Sequence, residues 1–300
     1  MVYDLGDDPW RMRMLVGTDA IRGVTMVRGD IADRDALIRV IGEHKVDRVI
    51  HLAAWQVPLC RQDPARGALV NVVGTANVFE AVKAHRDRVS RVVYFSSGAV
   101  FGPPEHYGPG PVTDDSPPRP ATHYGVYKVA NEETARVYWE EHKIPSMGFR
   151  PLSVYGPGRD FGLTADPTLA MKAAVLGRPY QIRWGGATDL IYADDVAQAC
   201  IAAVDLRAGS RARLQPAWRV REDRRRGPDD RGGVAGCRGK LSHVEQPIPF
   251  PGALDDPGYQ RDLGPRPRTG LRDGIRKTLD EFAALQRPTG STRGSSTPKA

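Results

Sequence analysis

The sequence has little cysteine and no long hydrophobic run. Its three cysteines are Cys60, Cys200 and Cys237. They lie far apart, with neither a paired framework nor the short spacing of a metal site, so we expect packing residues, no metal and a reducing, cytoplasmic compartment. No apolar run reaches the ~18 residues of a membrane span, and the first ten residues, MVYDLGDDPW, lack a basic-then-apolar leader. Both absences argue against a disulfide-stabilised secreted domain and against an integral membrane protein.

The first two-thirds of the chain has almost no net charge, and the net positive charge lies near the end. Residues 1–210 hold 24 Lys and Arg against 25 Asp and Glu, whereas residues 211–300 hold 19 against 11. The range 211–240 is rich in Arg and Gly and has almost no apolar period, which favours an irregular, solvated insert. A basic nucleic-acid arm is the alternative, and strong salt dependence of binding would mark it. The neutral first two-thirds makes nucleic acid an unlikely main partner.

Strand-like and helix-like segments alternate along the chain. TMVRGDI (25–31), RVIHLAA (48–54) and RVVYFSS (91–97) are typical of strands, the last two buried on both faces. Periodic helical segments separate them, among them residues 68–85. This order predicts an α/β fold, a Rossmann-like doubly wound parallel sheet. We expect a first domain at 1–156, a smaller lobe at 157–285 that contains the insert, and a disordered tail at 286–300.

The segment HYGVYKVANEE (123–133) places a phenol near an ammonium group. Tyr124 and Lys128 are four residues apart and share one face of a helix, whereas Tyr127 has Asn131 at that spacing. A nearby ammonium lowers the pKa of a phenol, which would make Tyr124 a usable proton shuttle. The alternative is an amphipathic helix with Tyr124 inside and Lys128 outside.

Six motifs, one of which lies within this segment, decide between these alternatives, because together they resemble those of a known family. They are HLAA (51–54), NVVGT (71–75), YFSSGAVFG (94–102), YGVYK (124–128), FRPLSVYGPGR (149–159) and DLIYADDVA (189–197). In this order and spacing they resemble the extended short-chain dehydrogenase/reductases of the NAD-dependent epimerase/dehydratase family. The resemblance implies that Tyr124 exchanges a proton with the substrate hydroxyl, that Lys128 lowers its pKa and holds the nicotinamide ribose, and that Ser97 binds the reacting oxygen.

The resemblance also implies a cofactor groove in the first domain. The cofactor-binding residues would be Asp4, Asp30, Ile31, Leu52, Ala53, Ala54, Asn71, Ser96 and Pro151, with Tyr124 and Lys128. Asp4 lies where an acidic residue binds the ribose hydroxyls of the adenosine, and a carboxylate there repels a 2′-phosphate, so NAD is favoured over NADP. His51 is expected to be a core residue.

The substrate residues are less constrained by the motifs. Dehydratases of the family carry an Asp-Glu pair where Gly98 and Ala99 stand, so sugar dehydration is not expected. Ser97, Ser153, Arg159 and Arg183 are the candidate substrate-binding residues. Nucleotide-sugar epimerases place an Arg where Thr188 stands, and the loss of that phosphate clamp favours a smaller carbohydrate or a sugar acid unless Arg159 or Arg183 substitutes.

We therefore expect an NAD-dependent oxidoreductase or epimerase that acts on a secondary hydroxyl of a sugar, sugar acid or nucleotide sugar. The partner is a small molecule, and a homodimer is left open. The family's glycine-rich loop after its first strand is absent, and the chain begins where the second strand would end. That absence predicts poor folding and weak NAD binding. It also leaves a non-catalytic dinucleotide-binding protein or an inactive remnant as the alternative.

Overall fold

The computed structural model describes residues 1–108, 110, 112–206, 240–255, 257–265 and 268–286. The insert predicted at 211–240, except Lys240, and the tail, except Gln286, lie outside the described residues. No helix in these ranges is both long enough and apolar enough to cross a membrane.

Nine strands, β1 to β9, are present in the described ranges, and every pairing between them is parallel. In chain order they are Val2–Asp4, Met26–Arg28, Arg48–His51, Arg91–Phe95, Ser146–Phe149, Ser153–Tyr155, Tyr180–Ile182, Leu190–Tyr192 and Leu241–His243. The pairs are β1–β2, β3–β4–β5, β6–β8 and β7–β9.

The described helices α1 to α10 alternate with these strands. In chain order they are Trp10–Ile21, Arg34–Glu43, Val57–Gln62, Pro64–Ala68, Gly74–Ala84, His123–His142, Asp166–Val175, Ala193–Asp205, Pro257–Leu263 and Leu271–Gln286. A π-helical turn, Leu69–Val73, joins α4 to α5. The helix expected at 68–85 is therefore interrupted near its start.

Strand β4 shows why helices cover both faces of the central sheet. Its side chains alternate, as strand geometry requires. Val92 and Tyr94 pack into a core cluster with Phe79 of α5 and Ala135 of α6. Val93 packs on the other side in a cluster with Met147 of β5 and residues of α8. The predicted doubly wound α/β fold is confirmed.

Strand β3 differs from the prediction that it is buried on both faces. Ile50 is 43% exposed, and Leu52 just beyond the strand is 59% exposed. The reason is the pairing of the strand. Within the described ranges, β3 is hydrogen-bonded to β4 along one edge and has no strand partner along the other, and β1 likewise pairs only with β2. A strand with one partner leaves part of its surface uncovered, so an apolar run alone did not establish burial.

The second lobe is built on β6 to β9. Helices α7 and α10 pack over it through a cluster that contains Tyr155, Met171, Tyr192 and Phe282. Strand β6 belongs to the predicted first domain, yet it pairs with β8, which belongs to the second. A hydrogen-bonded sheet therefore crosses residue 156, and the boundary placed there stays a prediction.

Candidate active site

Two capping residues bring Ser97, Tyr124 and Lys128 together at the carboxyl end of β4. Ser97 follows the strand and accepts a hydrogen bond from the amide of Ala99 at 3.1 Å, which starts a 3₁₀ turn. Thr122 caps α6 by accepting a hydrogen bond from the amide of Gly125 at 3.0 Å. The helix therefore begins at His123 and presents Tyr124 and Lys128 on its first turns.

The three side chains interact. Ser97 and Tyr124 share a side-chain hydrogen bond. Lys128 Nζ lies 5.4 Å from the centroid of the Tyr124 ring and donates a 2.6 Å hydrogen bond to the carbonyl oxygen of Phe95. Only 3% of Lys128 is exposed, so its ammonium group is held beneath the phenol and away from solvent.

Gly125 allows α6 to approach the turn that carries Ser97. A Cβ at this position would overlap the carbonyl oxygen of Ala99 and would lie 2.9 Å from Cβ of Pro120. Glycine is the one residue type without that atom. The spacing between the serine turn and Tyr124 therefore depends on the glycine that follows Tyr124.

Burial dominates the electrostatics of the pair. It raises the pKa of Tyr124 to about 12, while the hydrogen bond from Ser97 and the charge of Arg159 act to lower that pKa. Burial also lowers the pKa of Lys128 to about 8. The lowering of the Tyr124 pKa that was expected from Lys128 is therefore not found: the pKa is raised overall, and the groups that oppose the rise are Ser97 and Arg159. Lys128 contributes a buried group whose own pKa is lowered.

Several candidate cofactor residues lie around the ends of β1, β2 and β3. Asp4, Leu52 and Ala53 are exposed there, which leaves an acidic side chain and small or apolar surface accessible to a dinucleotide. Asp30 accepts a hydrogen bond from the amide of Ala32, and Ile31 packs against Gly74. These positions leave a carboxylate and small or apolar side chains accessible where the resemblance places the adenosine ribose and the cofactor groove, and their contact with NAD stays a prediction.

Comparison with known proteins gives the family. Residues 9–213 match the model of the NAD dependent epimerase/dehydratase family, which is more than half of the chain. The chain belongs to this family. Its cofactor is NAD.

The chain is similar to several enzymes over most of its length. A UDP-glucose 4-epimerase of Mycolicibacterium smegmatis is 33% identical over 267 residues, 85% of this chain and 82% of that protein. UDP-glucuronate 4-epimerase 6 of Arabidopsis thaliana is 28% identical over 85% of this chain, which spans 59% of that longer protein. The structure of a monomeric L-threonine 3-dehydrogenase from a metagenome database shares the fold, with a TM-score of 0.76 over 96% of this chain and 100% of that one at 19% identity.

Some predicted residues of this family member have other partners. Ser96 is buried and donates to Glu132 Oε1, and Glu132 forms a buried ion pair with Arg150 at 2.7 Å. Asn71 clamps the turn after β3 by accepting from the amide of Trp55 at 2.8 Å and donating to its carbonyl oxygen at 3.1 Å. Their direct contact with the cofactor stays a prediction.

The remaining candidates are also engaged. Pro151 is buried, and its carbonyl oxygen accepts from the amide of Gly98. Ser153 is fully buried and shares a 2.9 Å hydrogen bond with Thr188. Arg183 is paired with Asp166. Of the substrate candidates, Ser97 and Arg159 are those whose groups act on Tyr124.

The sequence did not indicate the apolar wall of the site. Trp184, Ile248 and Phe250 form a buried cluster with Ala99, and Tyr124 packs against it. More than 60 residues separate Trp184 from Ile248, and no local period connects them. By contrast, Glu132 could have been found, because it lies four residues after Lys128 on the same helix face.

Proposed function

We propose that the protein oxidises a secondary hydroxyl on a sugar-like substrate with NAD. The observation that carries this proposal is the Tyr124 phenol beside Ser97, with the buried Lys128 ammonium 5.4 Å from its ring, at the carboxyl end of a central parallel strand. Ligands of doubly wound sheets bind at that end of the strands. A proton-transfer group and an oxygen-binding hydroxyl are the two protein groups that alcohol oxidation requires.

The reaction divides between cofactor and protein. NAD, held by the residues around the ends of β1, β2 and β3, would supply the acceptor for the hydride of the carbinol carbon. Tyr124 Oη, in its phenolate form, takes the hydroxyl proton and becomes the neutral phenol, so that the O–H bond breaks as the C=O bond forms. The Ser97 hydroxyl has one proton, which it donates to the substrate oxygen, where it stabilises the negative charge that develops there. The hydrogen bond from Lys128 Nζ to the carbonyl oxygen of Phe95 holds the lysine side chain beneath the phenol.

Two outcomes of the same chemistry are open to this site. Release of the ketone gives net dehydrogenation, whereas return of the hydride to the other face gives epimerisation. The relatives' names include UDP-glucose and UDP-glucuronate 4-epimerases, which supports a carbohydrate substrate.

The test is turnover of a substrate panel by the purified protein with NAD. NADH absorbance reports dehydrogenation, and NMR of the sugar reports epimer formation without net NADH. We expect one of the two signals, and expect it to be lost in Tyr124→Phe. Turnover that survives Tyr124→Phe unchanged would contradict the proposal.

A further inference from the structure

We propose that Arg159 binds a carboxylate of the substrate, so that the substrate is a free hydroxy acid rather than a nucleotide sugar. This inference rests on the proposed oxidation and names the class of molecule that enters the same site. Its basis is a guanidinium group that forms no ion pair and has a buried, unbonded N–H within the described residues.

Arg159 is placed by a glycine-rich turn after β6. Gly156, Gly158 and Gly162 all have positive φ, at 127°, 86° and 106°. At Gly162, an added Cβ would lie 3.1 Å from Arg159 Nη2 and 3.0 Å from Gln56 Oε1. Because Gly162 has no side chain, the guanidinium group has room beside Gln56, which lies between β3 and the start of α3.

The guanidinium group has few partners. Its Nε is buried and makes no hydrogen bond within the described part of the chain, and Nη2 reaches Thr164 Oγ1 at 3.5 Å. Asp160, the adjacent carboxylate, is bonded instead to Arg11, with Nη2–Oδ1 at 2.9 Å and Nε–Oδ2 at 3.2 Å. A buried donor without an acceptor is costly, and a carboxylate that binds it in a bidentate manner removes that cost.

The wall around the phenol offers a second unsatisfied donor. The Trp184 Nε1–H is buried and has no acceptor among the described residues. Ile248 and Phe250 complete this wall, and Leu163 from the Arg159 turn packs against it together with Tyr124. A compact anion whose oxygens accept hydrogen bonds fits such a site, because both orphan groups are donors.

The groups that would bind a diphosphate are occupied. Arg183 directs Nε and Nη2 to Asp166, at 3.1 and 2.6 Å, and its amide also donates to that carboxylate. Ser153 and Thr188 are bonded to each other. Within the described residues, Arg159 is thus the guanidinium with a buried, unpaired N–H close to the reacting phenol.

The experiment compares acids with their neutral counterparts. The purified protein with NAD is given D-galacturonate and D-glucuronate, the matched sugars D-galactose and D-glucose, L-threonine, UDP-glucose and UDP-glucuronate. Arg159→Gln removes the charge and Arg159→Lys keeps it without the bidentate fork. Arg178→Gln, an exposed arginine after α7, is the matched control. Binding is measured by calorimetry in parallel with NADH formation and epimer analysis.

We expect a free acid to be preferred over its neutral counterpart, with Arg159→Gln lowering kcat/KM for the acid by roughly 10- to 150-fold, mainly through KM. Arg159→Lys should fall between, and Arg178→Gln should match the unmodified protein. Response to the sugar acids alone, or to L-threonine alone, identifies the source of the carboxylate.

Other results overturn the inference. These are preference for a nucleotide sugar, or equal losses for acid and neutral substrates in Arg159→Gln. Calorimetry separates the two proposals. If acid binding depends on Arg159 but no turnover is seen, only the proposed oxidation is contradicted. If acid binding is unchanged in Arg159→Gln, the carboxylate site is contradicted whether or not turnover is seen.

Discussion

Tyr124 and Tyr127 lie on the same helix, but their hydroxyl groups have different partners. Tyr124 shares a hydrogen bond with Ser97, whereas Tyr127 donates to the carbonyl oxygen of Pro64 at 2.8 Å. We expect Tyr124→Phe to lower kcat by about 10²–10⁴-fold with little change in NAD affinity, because it removes only the proton-transfer group. Tyr127→Phe is the control and should keep most activity. A silent Tyr124→Phe beside a damaging Tyr127→Phe would show that the other tyrosine transfers the proton.

The buried ammonium of Lys128 gives stability an unusual pH dependence. Its pKa is about 8 in the folded protein and about 10.5 in an unfolded chain, so between these values the folded state binds fewer protons. The free energy of unfolding therefore rises with pH through this window. Relative to Lys128→Met, the unmodified protein should gain about 2 kcal/mol between pH 8 and 9.5.

Urea denaturation at both pH values measures this gain. Lys172→Met, at an exposed lysine of α7, is the matched control for the loss of a lysine charge. A constant difference between the unmodified protein and Lys128→Met across the window would mean that Lys128 does not change protonation there.

At the scale of elements, α6 depends on its close approach to the turn after β4. Gly125→Ala would place a methyl group against the carbonyl oxygen of Ala99. We expect the free energy of unfolding to fall by about 1–3 kcal/mol, the usual cost of overpacking. Activity should also fall, since the shift separates Tyr124 from Ser97. Gly23→Ala, where an added Cβ meets nothing within 4 Å, serves as the control. Full activity in Gly125→Ala would show that the turn moves to accommodate the methyl group without separating Tyr124 from Ser97.

At the scale of the whole molecule, the sheets β1–β2 and β3–β4–β5 each have an edge strand with one partner in the described ranges. A parallel strand that paired with both would bury about five apolar side chains, on the order of 10 kcal/mol. Fusing a strand, a glycine-rich turn and a helix of roughly 25–30 residues ahead of Met1 should therefore raise Tm and strengthen NAD binding.

Thermal melts with and without NAD check this prediction, because a ligand at 100 times its Kd adds about 2.7 kcal/mol to stability. A fusion whose glycines are replaced by valine is the control: it should keep the gain in Tm but lose the NAD-dependent part. Equal NAD shifts in the chain with and without the fusion would contradict the role given to the added turn.

The sequence predicted the strands and helices that local pattern determines. The apolar run at 91–95 is buried as expected, and His51 is a core residue, bonded to Thr75 with its pKa lowered by burial to about 3. The similar run at 48–51 was wrongly predicted to be buried on both faces, because the burial of a strand depends on neighbouring strands and helices that its own residues do not encode. The wall formed by Trp184, Ile248 and Phe250 was missed for a related reason: it exists only after distant segments pair, as in β7–β9.

The proposed proton-transfer groups and the proposed substrate-binding residues come from different parts of the chain. Ser97, Tyr124 and Lys128, with the Glu132–Arg150 pair beneath them, lie within a single strand–helix–strand unit at 91–150, whereas Arg159 and the wall lie at 156–250. In the proposed reaction, mutational drift in the wall can therefore change which alcohol is accepted while Ser97, Tyr124 and Lys128 stay unchanged. A lineage built on this fold can inherit its chemistry while its substrates diverge.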